Sequence, residues 1–461
     1  MKKIVCMVLA VLLAVSSVFG GGKKDSVSGP FVPPVEYGIR LDKINLDNSL
    51  HGQYSGKKLV VMTTGGDQEL AVRAASVLFE QLSGAKVEVQ VFPWDDLNQK
   101  IINGLNSSGD LDCIVMAAPF VTGYEKAGLL ADMGALYRQH GAAGYDMDDF
   151  IPAMMDSMCR LNGKVYAVPC KPDAYILSYR KDILEDPAVR TRFKQKTGHD
   201  LKVPETMEEM KRTADYFTKS KNPDSPVLYG YATQGSKGNS RWIWSGRLGA
   251  LGGGIVDLTT MEPAFDNEAG IKAMQFALSL VPDTPPEFMQ LAYDELNLIY
   301  TSGDVFMAEQ WPGLATATRG TVTEGKTGFA VMPGQSPVIG GWTAAIAKNS
   351  RQQELAWKFV ELMTSKDGEI VKIKHTFDPC RLSNYQRSGI KDLSPMYPVL
   401  LKSLQVGAVL PDVPVPYIGL KLNDVCEKWM QSALAGKVSP EAAIKGMADE
   451  FRAEIRAAGL Q

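Results

Sequence analysis

From Leu59 onward the apolar pattern switches between two periods, and this constrains the fold more than any other feature. Residues 59–63 are apolar and β-branched, residues 69–82 repeat apolar positions at helical spacing and stop at Gly84, and Val87, Val89 and Val91 alternate. Residues 95–105 return to helical spacing and 113–117 form a short continuous apolar run. Strand, helix, strand, helix, strand predicts an α/β layer built on a parallel sheet, with ligands at the carboxyl ends of the strands.

Local signals place further elements. Asn162-Gly163 predicts a hairpin turn, and Thr206 three residues before Glu209 predicts a capping box opening a helix at 207–217. Residues 267–281 predict another helix, and Ser439-Pro440 opens the last one with a cap and a first-turn proline. Ser350 and Gln353 predict a second capping box, followed by Leu355, Phe359, Leu362 and Met363 on one buried helical face.

Lys2-Lys3, an apolar run through Phe19 and then Gly20-Gly21-Gly22 have the order of a secretory signal peptide, with cleavage expected after Gly20. The apolar run is shorter than the ~20 residues a spanning helix needs. No lipobox cysteine stands at the cleavage point, since Cys6 falls inside the apolar stretch. The expected location is therefore periplasmic, without an anchor. Residues 21–56, rich in Gly, Ser and Pro, read as an N-terminal extension or tether.

The 49 Lys and Arg nearly balance 52 Asp and Glu, which gives no electrostatic case for nucleic acid as a partner. Five cysteines follow the signal segment, none in a CxxC pair, and the four histidines are scattered. Buried thiols, at most one disulfide, and neither metal nor cofactor are expected.

Several segments in their order resemble family 1 extracellular solute-binding proteins of ABC transporters, the maltose-binding-like group. They are AGLLADM (127–133), GKVYAVP (163–169), VYAVPCKPDAYILSYRKD (165–182), GFAVMP (328–333) and the run from Gly340 to Ser383 beginning GGWTAAIAKNS. The resemblance implies a two-lobed periplasmic-binding-protein fold (type II), with discontinuous α/β lobes joined by three crossovers. Residues 57–172 with 330–377 would form one lobe, and 173–329 with 378–461 the other. It implies a receptor that binds a small molecule, a sugar or oligosaccharide, closes over it, and hands it to ABC permease subunits. A monomer without enzymatic activity is expected.

A sugar offers C–H faces to aromatic rings and an equator of hydroxyls to polar side chains. By resemblance, Trp311 in GDVFMAEQWPG is a ligand-stacking ring with Gln310 beside it, and Asp173, with Tyr175, is a ligand-binding carboxylate position. Trp242 and Trp244 are aromatic candidates. Their i, i+2 spacing puts them on opposite faces of a strand or about 200° apart on a helix, so one of them is expected to face the ligand. Gly341 and Trp342 belong to a glycine-aromatic turn near the ligand. Gly65 and Asp67 end the first strand, where Asp67 is expected to cap the helix or meet a hydroxyl. Arg381 would clamp a hydroxyl or hold the third crossover, and the structural role is favoured.

Three other solute classes stay open on the same fold: polyamines, anions and ferric ion. A secreted glycoside hydrolase would need an acid and nucleophile pair, and Asp173 stands alone in the sequence. Residues 320–327, GTVTEGKT, match the phosphate-loop pattern GxxxxGK[ST] but precede a strand-like segment, whereas a phosphate loop follows a strand and opens a helix. Nucleotide binding is rejected on that ground.

Overall fold

A computed structural model describes residue 50 and residues 52–373, 378–387, 389–390, 393–406, 415 and 418–460. The expected signal peptide and most of the 21–56 extension lie outside the described residues, as do Thr376 and Phe377 of the expected third crossover. The described end of the extension is a turn at 52–56 docked on the first helix, where the Gly52 and Tyr54 amides donate to the Leu82 and Ser83 carbonyls.

Nine strands carry the architecture: β1 (Lys58–Thr64), β2 (Lys86–Phe92), β3 (Cys113–Ala117), β4 (Val168–Ala174), β5 (Ile176–Arg180), β6 (Tyr229–Ala232), β7 (Val305–Gln310), β8 (Thr327–Val331) and β9 (Ile339–Ile346). They divide into a five-stranded sheet of order β2–β1–β3–β9–β4 and a four-stranded sheet of order β8–β5–β7–β6. In the first sheet β1 runs parallel to β2 and β3, as the alternation at 59–117 predicts, while β9 lies antiparallel to both β3 and β4. In the second, β7 pairs parallel with β6 and antiparallel with β5.

Two connections pass between the sheets side by side. Tyr175 alone separates β4 from β5, and residues 332–338 lead from β8 to β9. The Tyr175 amide donates to the Val338 carbonyl at 2.8 Å, so the two crossings are tied together. GFAVMP is thus the last strand of the second sheet followed by the start of the crossing.

The helices used below are α1 (Asp67–Ser83), α2 (Trp94–Leu105), α3 (Met207–Phe217), α4 (Arg241–Ala250), α5 (Glu268–Ser279), α6 (Tyr293–Thr301), α7 (Gln353–Thr364), α8 (Gly419–Leu434) and α9 (Pro440–Ala457). Against the first sheet, Phe79 of α1 meets Phe359 of α7 edge to face, with ring centroids 5.3 Å apart. The second sheet has its own core, including Phe217 stacked on Phe306. Beside it α4, α5, α8 and α9 bury a separate helical cluster around Trp244, Phe265, Met430 and Phe451.

Most local signals hold. Asn162 and Gly163 both take positive φ (51° and 77°), the conformation a two-residue hairpin needs. Thr206 and Glu209 form the reciprocal capping box, and Asn267 and Ser439 cap α5 and α9. The Ser350 box is corrected: α7 starts at Gln353 with Gln352 as its cap position. Ser350 instead donates its hydroxyl to Asp112 Oδ1, whose other oxygen accepts from the Val60 amide. The same hydroxyl accepts from the Gln352 amide at 3.0 Å, so it closes a turn before the helix and does not reach the Gln353 amide as a box would. The phosphate-loop match is a turn region in which Glu324 itself accepts from the Gly320 amide, and β8 follows it. Cys113, Cys159, Cys170, Cys380 and Cys426 are all buried free thiols.

Candidate functional site

The site forms where the chain crosses between the sheets. Strand β4 ends there, and its pairing with β9 sets Asp173 opposite Gly340, Pro172 opposite Gly341 and Lys171 opposite Trp342. A Cβ on Gly341 would lie 2.8 Å from the Lys171 carbonyl oxygen and 2.7 Å from Met154 Cε, so only glycine lets the strands approach this closely. Gly340 sits under Trp311: a Cβ there would lie 3.3 Å from the indole ring and 3.7 Å from Asp173 Cβ. Trp311 follows β7 of the four-stranded sheet, so this contact joins the two sheets across the crossing.

Three aromatic side chains share one cluster. Tyr175 and Trp311 have ring centroids 4.3 Å apart with planes tilted by 36°, and Trp242 meets both edge to face at 5.7 and 5.1 Å. The Arg241 guanidinium lies over the Trp242 ring, 4.5 Å from its centroid. The Tyr175 hydroxyl is buried and has no hydrogen-bond partner among the described residues.

Beside the rings lies a charged group. Lys171 Nζ is 3.9 Å from both Asp67 Oδ2 and Asp173 Oδ1. Burial would depress the ammonium's pKa, but Asp173, Asp378, Tyr293 and Asp67 together hold it above the usual lysine value. Burial pushes the Asp173 carboxyl up to about 6, opposed by Lys171 and reinforced by Asp67. Burial pushes Asp378 up to about 8, with Lys171 opposing and Asp173 and Asp67 adding to the rise. Tyr293 of α6 completes the group, its phenol also raised chiefly by burial. A Cβ on Gly313 would fall 1.9 Å from the Tyr293 hydroxyl, so the Pro-Gly turn after Trp311 makes room for that phenol.

The structure brings Asp67, Asp173, Tyr175, Trp242 and Trp311 to this place, with Gly340 and Gly341 as its floor. Gly65 and Gly66 carry the chain from β1 into α1, and Gly66 has a φ of 81°. Asp67 does not cap α1 with its side chain but lies near Lys171. Trp342 is half-buried on β9 beside Lys171.

Two expectations are corrected, those for Trp244 and Gln310. Trp244 is buried in the helical core, where its indole N–H donates to the Gly270 carbonyl and its ring meets Phe265. The segment is helical, so the two tryptophans diverge and Trp242 is the one at the cluster. Gln310 is saturated: its oxygen accepts from Gln234 Nε2 and the Trp311 amide, and its nitrogen donates to the Tyr293 carbonyl and Asn297 Oδ1. It fixes Trp311 and keeps no bonding capacity for a solute. Arg381 is buried, donating to the Thr364 and Asp146 carbonyls, with its guanidinium over Phe150 at 4.0 Å. That is the favoured structural role.

Lys171, Tyr293 and Asp378 were not singled out from sequence. Lys171 carried a usable signal, since it stands two residues before Asp173 on one strand and so on the same face. Tyr293 and Asp378 arrive from remote segments and carried none.

Two α/β sheets, crossed by adjacent connections with an aromatic and charged group at the junction, define a two-lobed solute receptor of the type II periplasmic-binding class. Residues 63–370 match the family model for bacterial extracellular solute-binding proteins, and the chain belongs to that family. It is a transport receptor, not an enzyme, which sets the hydrolase reading aside. A probable amino-acid ABC transporter periplasmic-binding protein of Sinorhizobium fredii is 25% identical over 366 residues, covering 77% of this chain and 80% of that protein. The mannitol-binding protein of Pseudomonas aeruginosa is 24% identical over 431 residues, covering 87% and 94%. The fold is shared with the maltose-bound MalE3 of T. maritima, at a TM-score of 0.72 and 22% identity, over 86% of this chain and 99% of that one.

Proposed function

We propose that this receptor captures a small polyhydroxylated solute, a sugar or sugar alcohol, at the junction of its two lobes and delivers it to an ABC permease. The observation that carries the reading is the pairing of the Tyr175–Trp242–Trp311 cluster with Asp67, Lys171, Asp173 and Asp378 at one place. Rings cover apolar sugar faces, while carboxylates and the ammonium satisfy hydroxyls that would cost about 1–3 kcal/mol each if buried unbonded. The mannitol-binding relative supports the same class of solute.

The lobes would divide at Tyr175 and at residues 332–338 and turn about those crossings when solute enters. The closed form is favoured only by contacts that the solute makes better there than in the open form. The protein acts outside the cytoplasm, and a leader ending near Gly20 would direct it there.

Thermal melting of the mature protein against sugars, sugar alcohols, amino acids and polyamines tests this. A true solute at 100 times its Kd adds roughly 2.7 kcal/mol of stability, a readable rise in midpoint. A shift with amino acids alone would overturn the polyhydroxylated class and leave the receptor function standing.

A further inference from the structure

The charge count at the junction is unbalanced. Among the described residues, Asp67, Asp173 and Asp378 surround one ammonium, that of Lys171, and the phenols of Tyr293 and Tyr385 and the Cys170 thiol are the other titratable groups that face them. Neither recorded ion pair closes to hydrogen-bond distance, since Lys171 Nζ stands 3.9 Å from Asp67 and from Asp173 alike. Asp173 is only 9% exposed, and its Oδ1 accepts no hydrogen bond from any described residue. A buried carboxylate oxygen without a donor is costly, and it is retained where a ligand supplies the donor. Asp173 and the Trp311 indole both flank Gly340, where an added Cβ would lie 3.7 Å from Asp173 Cβ and 3.3 Å from the ring, so the unbonded carboxylate belongs to the same junction as the aromatic cluster.

Resting on the reading of this junction as the solute site, we infer that the solute carries a protonated amine as well as hydroxyls, as an amino sugar or an amino-deoxy alditol does. Its ammonium would sit against Asp173 Oδ1 and act as the second cation that three carboxyl groups require. A neutral sugar leaves the acid excess uncorrected, so one carboxyl must hold a proton, and Asp378 takes it more readily than Asp173. An ammonium removes that need. Its binding therefore expels a proton, and its affinity rises with pH between about 6 and 8 until the ligand amine itself deprotonates.

Titration calorimetry of the mature protein with a matched set tests the inference: a hexose, its 2-amino-2-deoxy form and the N-acetyl derivative of that form. Putrescine serves as an amine without hydroxyls. The expected result is that the free amine binds at least about tenfold more tightly than either neutral partner, with proton release visible as a dependence on buffer ionisation heat. Asp173→Asn should shrink the free amine's advantage over the hexose and the N-acetyl sugar to less than about threefold, whatever it does to the hexose itself. A hexose or N-acetyl sugar that binds as tightly as the amine overturns the inference and keeps the sugar-receptor reading. Binding of putrescine alone supports the charge argument and overturns the sugar reading. No heat from any of the four, with a cooperative melt proving the protein folded, overturns both.

Discussion

Trp242 and Trp244 lie two residues apart and do opposite work. Trp244→Ala removes a ring buried among Phe265 and its neighbours, and is expected to cost about 3–5 kcal/mol of stability in a urea titration. Trp311→Ala should leave the melting midpoint close to that of the parent yet weaken solute binding by about 2 kcal/mol, roughly thirtyfold by calorimetry. Asp378 adds a pH signature. Its folded pKa lies above the ordinary aspartate value, so the native state binds the proton more tightly than the unfolded chain does. Its contribution to stability is present at about pH 4, declines as pH rises, and has been lost above about 8. Melting across that range should show a steeper fall for the parent protein than for Asp378→Asn, and parallel curves would remove Asp378 from the charged group. Sequence made Asp173, Tyr175 and Trp311 legible because short motifs surround them. It left Asp378 and Tyr293 unseen, since their importance comes only from what the fold sets beside Lys171.

Among the elements, those with closed local logic were read correctly from sequence and those depending on distant partners were not. The Thr206–Glu209 box satisfies two amides within one turn, so nothing remote can override it. Thr206→Ala should lower stability by about 1 kcal/mol in chemical denaturation. Ser350 shows the converse, since its hydroxyl belongs to Asp112, 238 residues away in sequence. The parallel order of β1, β2 and β3 was likewise written in local periodicity. The insertion of β9 between β3 and β4 was not, because a strand's neighbours follow from packing and not from its own pattern.

Across the whole molecule the contact of Trp311 with Gly340 means the two lobes already touch. Small-angle scattering should therefore show a radius of gyration that falls as solute is added if the unliganded protein opens in solution. An unchanged radius would mean that this closed arrangement is the resting one. Tyr175 gives the junction a further property. It is the single residue between β4 and β5, its amide ties the two crossings together, and its ring lies against Trp311. On the proposed reading, the axle of the molecule and one wall of its solute site would be the same amino acid. Occupancy needs no relay to reach the pivot, and any attempt to retune selectivity at this position will retune the speed of opening along with it.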